Sequence, residues 1–279
     1  ILPGLAGRMK ASAAAAPVVA RIAAAPPAHF SAVAEARMAY GRILARPLDW
    51  LRVAGPWIAA LWAIPLVLAQ THRPVAPGTV DWPALMLGLL VLVLIIVALP
   101  SVAIGWCRLV LQERLPAIAA LPDGAAMAVI WRLLIIAPIA GVAENQLAGV
   151  GRWIDAQLGA GSIVSGAAVV GWALALAVAL FFALQALIAP ARAVGDRATT
   201  TGVSAAAVRR LGWPYYLGLA AIGLPWIAVE QVLSWLDPMA GAGAGMNAAS
   251  AALWFGRVAA SALFVCALAG YLSQVYRRL

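Results

Sequence analysis

Six apolar runs, each long enough to cross a hydrocarbon layer, decide what this chain can become. They lie near Leu48–Gln70, Ala84–Leu111, Ala128–Val150, Ile163–Pro190, Pro214–Leu236 and Ala251–Tyr276. A helix of about 20 residues covers an apolar bilayer core, and it satisfies its own backbone polar groups where no water can. Composition agrees, because 65% of the 279 residues are hydrophobic and only 10% are charged, against about 25% charged in a soluble domain. A soluble fold could not cover that much apolar surface. The expectation is an all-α polytopic membrane bundle, six transmembrane helices arranged as three hairpins, with short interfacial helices on the cytoplasmic side.

The basic residues orient it. Arg8, Lys10, Arg21, Arg37, Arg42, Arg46 and Arg52 precede or open the first run, Arg108 and Arg114 follow the second, and Arg132 begins the third. Arg192, Arg197, Arg209 and Arg210 separate the fourth and fifth, and Arg277 and Arg278 follow the sixth. Of the 19 basic residues, only Arg73, Arg152 and Arg257 fall elsewhere. The positive-inside rule then places both termini in the cytoplasm. Read this way, the net charge of +9 points to anionic lipid at the cytoplasmic face rather than to nucleic acid.

Aromatic residues follow the same map. Trp50, Trp106, Trp131 and Trp213 fall at cytoplasmic ends, and Trp82, Trp153, Trp235 and Trp254 at the opposite ends. All eight are expected to be interfacial anchors, since indole is apolar but its N–H wants water. The five tyrosines, Tyr40, Tyr215, Tyr216, Tyr271 and Tyr276, fall on the cytoplasmic side as well.

Residues 1–29 read as a basic, Ala/Pro-rich arm without the compact leucine-rich core of a signal peptide, leaving 30–279 as the membrane domain. Phe30–Ala45 suits a short helix lying in the interface, with Glu35, Arg37 and Arg42 on one polar face and Phe30, Val33, Tyr40, Ile43 and Leu44 making apolar contacts. The hairpin entries "RPLDWLRVAGPWIA", "AVIWRLLIIAP" and "RRLGWPYYLGLAAIGLPWIA" suggest a weak three-fold repeat, parallel rather than inverted.

The segments "SVAIGWCRLVLQERLP" and "FFALQALIAPARAVGDRATTTGVSAAAVRRLGWPYYLG", with the final "YRRL", carry a resemblance. Over about Ser31 to Leu279 the chain resembles a widespread group of poorly characterised six-span bacterial inner-membrane proteins. That group is similar to the membrane domain attached to some glycerophosphodiester phosphodiesterases. The resemblance implies the six-helix architecture. No catalytic phosphodiesterase domain is among these residues, so that activity is not carried over.

Charges within apolar runs are the candidate functional groups. Arg132 lies one turn into its run, where its side chain can snorkel to the interface. Glu144 and Glu230 each lie six residues before the outer end of a run, and Arg257 lies six after the start of its own. Six residues are about 9 Å of helix, so the three share a depth, with Asn145 and Gln231 beside the glutamates. Arg257 is expected to pair with Glu230 and clasp the last hairpin, with Glu144 joining or lining a wet pocket.

No phosphate-binding loop, His-Glu-x-x-His or G-x-S-x-G motif occurs. Cys107 and Cys266 read as small core residues, His29 and His72 have no co-ligand at metal-binding spacing, and no metal, cofactor or catalytic residue is assigned. Enzymatic activity is left open with the balance against it. The favoured function is a non-catalytic accessory, assembly or scaffold component of a membrane complex, with other membrane subunits as partners. A small-solute or proton transporter or channel is the alternative, and an intramembrane enzyme using Glu144 and Glu230 the second alternative.

Overall fold

Local chemistry sets where the helices begin and end. Ser31 opens the first by accepting from the Ala34 N–H at 3.4 Å, and Thr200 does the same for Val203, also at 3.4 Å. Such caps satisfy amides that have no partner inside the helix. Gly212 ends the helix that Thr200 opens, with φ +63°, a conformation open to glycine at little cost. The computed structural model describes residues 31–71, 82–114, 122–132, 134, 150, 154–157, 166–236 and 248–279.

In chain order the helices are α1 (Ala32–Ala45), α2 (Pro47–Thr71), α3 (Trp82–Gln112), α4 (Gly166–Gln185), α5 (Ile188–Ala193), α6 (Thr201–Leu211), α7 (Trp213–Leu236) and α8 (Ala248–Arg278). A further helical stretch covers 124–132, and no strand occurs among the described residues. Among the described residues, four stretches, Gly88–Gln112, Leu176–Ala193, Trp213–Leu236 and Ala249–Arg278, are long and apolar enough to cross a membrane. The protein is thus a helical bundle built for a membrane. The arm at 1–29 and most of the expected Ala128–Val150 run lie outside the described residues.

Helix α8 is the hub, packing against α1, α2, α3, α5 and α7. Ala267, Tyr271 and Val275 recur at four-residue spacing and are fully buried, together with Cys266; this is the period of one helix face. Trp226 of α7 stacks on Phe264 of α8 with ring centroids 5.0 Å apart. Trp62 of α2 meets Phe255 of α8 edge-to-face at 5.8 Å. Opposite this core, Leu85, Met86, Leu89, Leu90, Leu92 and Val93 of α3 are exposed, a surface that acyl chains cover at no cost but water does not.

The closest approach in the core is made at Gly218. A Cβ there would stand 2.2 Å from the Tyr271 hydroxyl oxygen and 2.4 Å from its Cζ, so the tyrosine ring occupies the space a side chain would fill. Its hydroxyl donates to the Tyr215 carbonyl at 2.9 Å, and Tyr215 in turn donates to Ala183 O at 2.9 Å.

Several expectations are corrected here. Tyr215 and Tyr271, on the cytoplasmic side in the sequence reading, are fully buried and bond to helix carbonyls. Trp106, expected as an interfacial anchor, is 0% exposed. Helix α3 continues to Gln112, about 9 Å beyond Trp106, so the indole sits below the helix end and packs against Gly270. Helix α1, expected as a short interfacial helix, packs on α7 and α8. Its inner face is Ala32, Glu35, Ala36, Ala39 and Ile43. Val33 and Leu44, expected to make contacts, are 67% and 79% exposed. Alanine is the reason, since a stripe of small side chains lets neighbouring backbones come close. Glu35, expected on a solvated polar face beside Arg37 and Arg42, is only 1% exposed.

Candidate functional site

The polar groups of the bundle fall into two assemblies. The first joins α7 and α8. Glu230 and Ser234 stand four residues apart on α7, which puts them on one face, and Arg257 of α8 reaches both. Glu230 Oε2 lies 3.7 Å from Arg257 Nε, and Arg257 Nη2 donates to Ser234 Oγ at 3.4 Å. The distance is that of an ion pair rather than a short hydrogen bond, and each charged side chain is 26% exposed. Gln231, next in the chain, is exposed and is not brought into this pair. Glu144 and Asn145, the other members of the expected cluster, lie outside the described residues.

The expected tryptophan anchors divide. Trp82, Trp131, Trp213 and Trp235 are exposed, as an anchor would be. Trp50 and Trp254 are half-buried. Trp254 donates its N–H to the Leu61 carbonyl at 2.9 Å, and Trp62 to the Ala251 carbonyl at 3.2 Å, so the two helices exchange indole bonds. Trp153 lies outside the described residues. Arg132 turns back along its own helix and donates to the Ala128 carbonyl.

The second assembly gathers where α3, α4, α5 and α8 end and α1 begins. The last carbonyls of any helix lack an amide partner within it. Side chains from other elements supply the donors. Ser204 of α6 donates to Leu184 O at 2.7 Å, beside the bond from Tyr215 to Ala183 O. Arg108 and Gln112 both donate to Ala193 O, at 3.4 and 3.5 Å. Arg277 donates to Val110 O.

Three carboxylates hold this end together. Asp123 pairs with Arg108 and accepts from the Ala125 and Ala126 N–H groups at 3.0 and 3.1 Å, capping the 124–132 helix. Burial opposes its charge, but the Ala126 amide and then Arg108 outweigh burial and hold its pKa below the ordinary value. Asp196 accepts from the Thr199 hydroxyl at 2.6 Å, the Tyr276 hydroxyl at 2.8 Å and the Ala198 amide at 2.8 Å. Here too burial pushes the pKa up, and these donors, the Thr199 and Tyr276 hydroxyls foremost, bring it below the usual carboxylate range. Glu35, buried on α1, pairs with Arg278 in the last turn of α8.

What this arrangement does chemically is fasten helices. Its carboxylates face guanidiniums, hydroxyls and helix amides. Sequence reasoning had not singled out Glu35, Asp123 or Asp196. Asp123 was open to discovery, because an Asp just before a helical run is an N-cap signal. So was Asp196, three residues before Thr199 in a Thr-rich turn. Nothing local marks Glu35, whose partner is a residue from the other end of the chain. Among the described residues, no three His, Cys, Asp or Glu side chains gather as metal ligands. No known protein family, curated protein or solved structure matches the chain.

Proposed function

We propose that this chain is a non-catalytic integral membrane protein, an accessory, assembly or scaffold component of a membrane complex. In this reading it spans a bacterial inner membrane six times, as three hairpins, with both termini in the cytoplasm and anionic lipid at that face. One observation carries it above the alternatives. The charged pair set within apolar helices, Glu230 with Arg257, binds across α7 and α8 and recruits Ser234, which is the use a clasp makes of half-buried charge. A proton or solute path would instead leave such groups facing a wet channel. The exposed apolar faces of α3 and α7 are surfaces that lipid or neighbouring subunits can cover.

The test is purification of the tagged full chain from native membranes in mild detergent. The proposal expects a larger assembly containing the chain at fixed stoichiometry. Recovery of the chain alone, with solute or proton flux in proteoliposomes that Glu230→Gln abolishes, would overturn it in favour of transport.

A further inference from the structure

Helix α1 has a second face that the bundle does not use. Ala34, Arg37, Met38, Gly41 and Ala45 recur at helical spacing and, with Arg42 and Arg46, form one wall of a cleft of about 660 Å³. The end of α3 makes the other wall through Trp106, Leu109, Val110 and Glu113, and Gln274 of α8 closes it. The cleft is therefore apolar on its inner side and lined by guanidiniums at its mouth. It lies level with the ends of the spans Gly88–Gln112 and Ala249–Arg278, where headgroups meet acyl chains.

Charge is out of balance there. Three arginines stand against one carboxylate, a surplus of two positive charges. Among the described residues no ion pair or hydrogen bond engages the side chains of Arg37, Arg42 or Arg46. The C-termini of α1, α3 and α8 each add roughly half a negative charge, but Arg277 already donates to the α3 end at Val110, so the surplus is not cancelled. Burial, then Arg277 and Arg46, press the Arg42 pKa below its ordinary value, with Glu113 opposing.

Two further details fit an occupant. Gly41 sits mid-helix with nothing within 4 Å of the place its Cβ would take, so no neighbour in the protein requires a glycine there, although glycine weakens a helix relative to alanine. Glu113 has φ +55°, the left-handed region that favours glycine over a residue with a side chain. A carboxylate thus stands at the cleft where a glycine would end the helix with less strain.

We propose that this cleft binds the phosphate-bearing headgroup of an anionic phospholipid, with Arg37, Arg42 and Arg46 on the phosphate, one acyl chain along Met38 and Leu109, and Glu113 as the internal anion that the headgroup displaces. The inference rests on the membrane placement proposed above. A phosphate diester supplies the charge the arginines lack, and guanidiniums bind phosphate oxygens through paired donors.

The full chain in detergent micelles is titrated with phosphatidylglycerol and, separately, with phosphatidylcholine of the same acyl chains, and bound lipid is counted by native mass spectrometry. Phosphatidylglycerol is expected to bind in preference. Arg37→Gln and Arg46→Gln should each weaken it about five-fold, and Gly41→Leu, which fills the cleft without altering charge, should weaken it as well. Glu113→Gln should strengthen binding, a gain that misfolding cannot mimic. Equal binding of the two lipids overturns the proposal, as does an equal loss from the paired substitutions Arg209→Gln and Arg210→Gln on the exposed surface of α6. Displacement of the lipid by inorganic phosphate at matched concentration would reassign the site to a free phosphate ester. A chain that binds phosphatidylglycerol yet purifies alone sinks only the accessory reading; one that joins an assembly but ignores lipid charge sinks only this one.

Discussion

Trp254 of α8 gives its indole N–H to the carbonyl of Leu61 in α2 at 2.9 Å, and the identity of residue 65 explains why that carbonyl is available. In an unbroken helix Leu61 O would accept from the amide four residues on. Residue 65 is proline, which has no amide hydrogen. The tryptophan replaces the missing donor from a neighbouring helix, so a defect in α2 becomes a fastening between helices.

Trp254→Phe should therefore cost about 1–3 kcal/mol, the penalty for an unpaired buried carbonyl, read as a lower thermal midpoint in detergent. Pro65→Ala restores an amide to that carbonyl. It should recover part of the loss in the Trp254→Phe background while adding little to the native chain. If the two substitutions are simply additive, the proline and the indole are unrelated.

Gly218→Ala should be among the more damaging single-methyl changes in the molecule. The new Cβ would lie 2.2 Å from the Tyr271 oxygen, and the ring can yield only by surrendering its bond to Tyr215. Overpacking of this kind costs about 1–3 kcal/mol, to which the lost bond adds. Tyr271→Phe should cost only the bond, about 1 kcal/mol, and should not rescue Gly218→Ala, because the ring carbon Cζ is itself 2.4 Å away. Equal stability of Gly218→Ala and the native chain would show that the ring can move freely.

A double-mutant cycle on Glu230→Gln and Arg257→Gln isolates the clasp. At 3.7 Å and 26% exposure the pair is neither dry nor fully solvated. A coupling of roughly 0.5–1.5 kcal/mol is expected, in the range found for polar contacts between membrane helices. Zero coupling in thermal unfolding would remove the structural role assigned to the pair.

Asp196 makes the turn between α5 and α6 sensitive to acid. Its folded pKa lies below the ordinary 3.8, so the stability it contributes is complete above that value and lost as pH falls through the depressed folded one. Amide protection at Ala198 and Thr199 should be flat from pH 7 to about 5 and should fall only as pH drops further below the ordinary carboxylate range. Asp196→Asn should lower protection at neutral pH and flatten the acid limb. Protection that declines between pH 7 and 5 would point to a different titrating group.

Much of the fold was legible from run length alone. The bounds of α3, α7 and α8 follow from where apolar residues start and stop, and the pairing of Glu230 with Arg257 follows from depth along two neighbouring helices. Less legible was which face of a helix turns inward. In α1 the inner face is mostly alanine, which a hydrophobicity pattern ranks below Val33 and Leu44, although those two are exposed. Trp106 stands beside Arg108 and so imitates an interfacial anchor. Its indole nevertheless turns into the core, against Gly270 of α8. Glu35 was missed because its environment is supplied by a partner far away in sequence. Local reading assigns a lone glutamate among arginines to water.

That distance has a consequence for biosynthesis. Helix α1 leaves the ribosome before any other described helix, and Arg278 lies in the last turn of the final one. Until Arg278 is made, Glu35 has no counter-charge, and burying a bare carboxylate is unfavourable. The face of α1 that carries it cannot close on the end of α8 before then. The first helix is then the last to be seated, and its closure reports that translation has reached the end of α8.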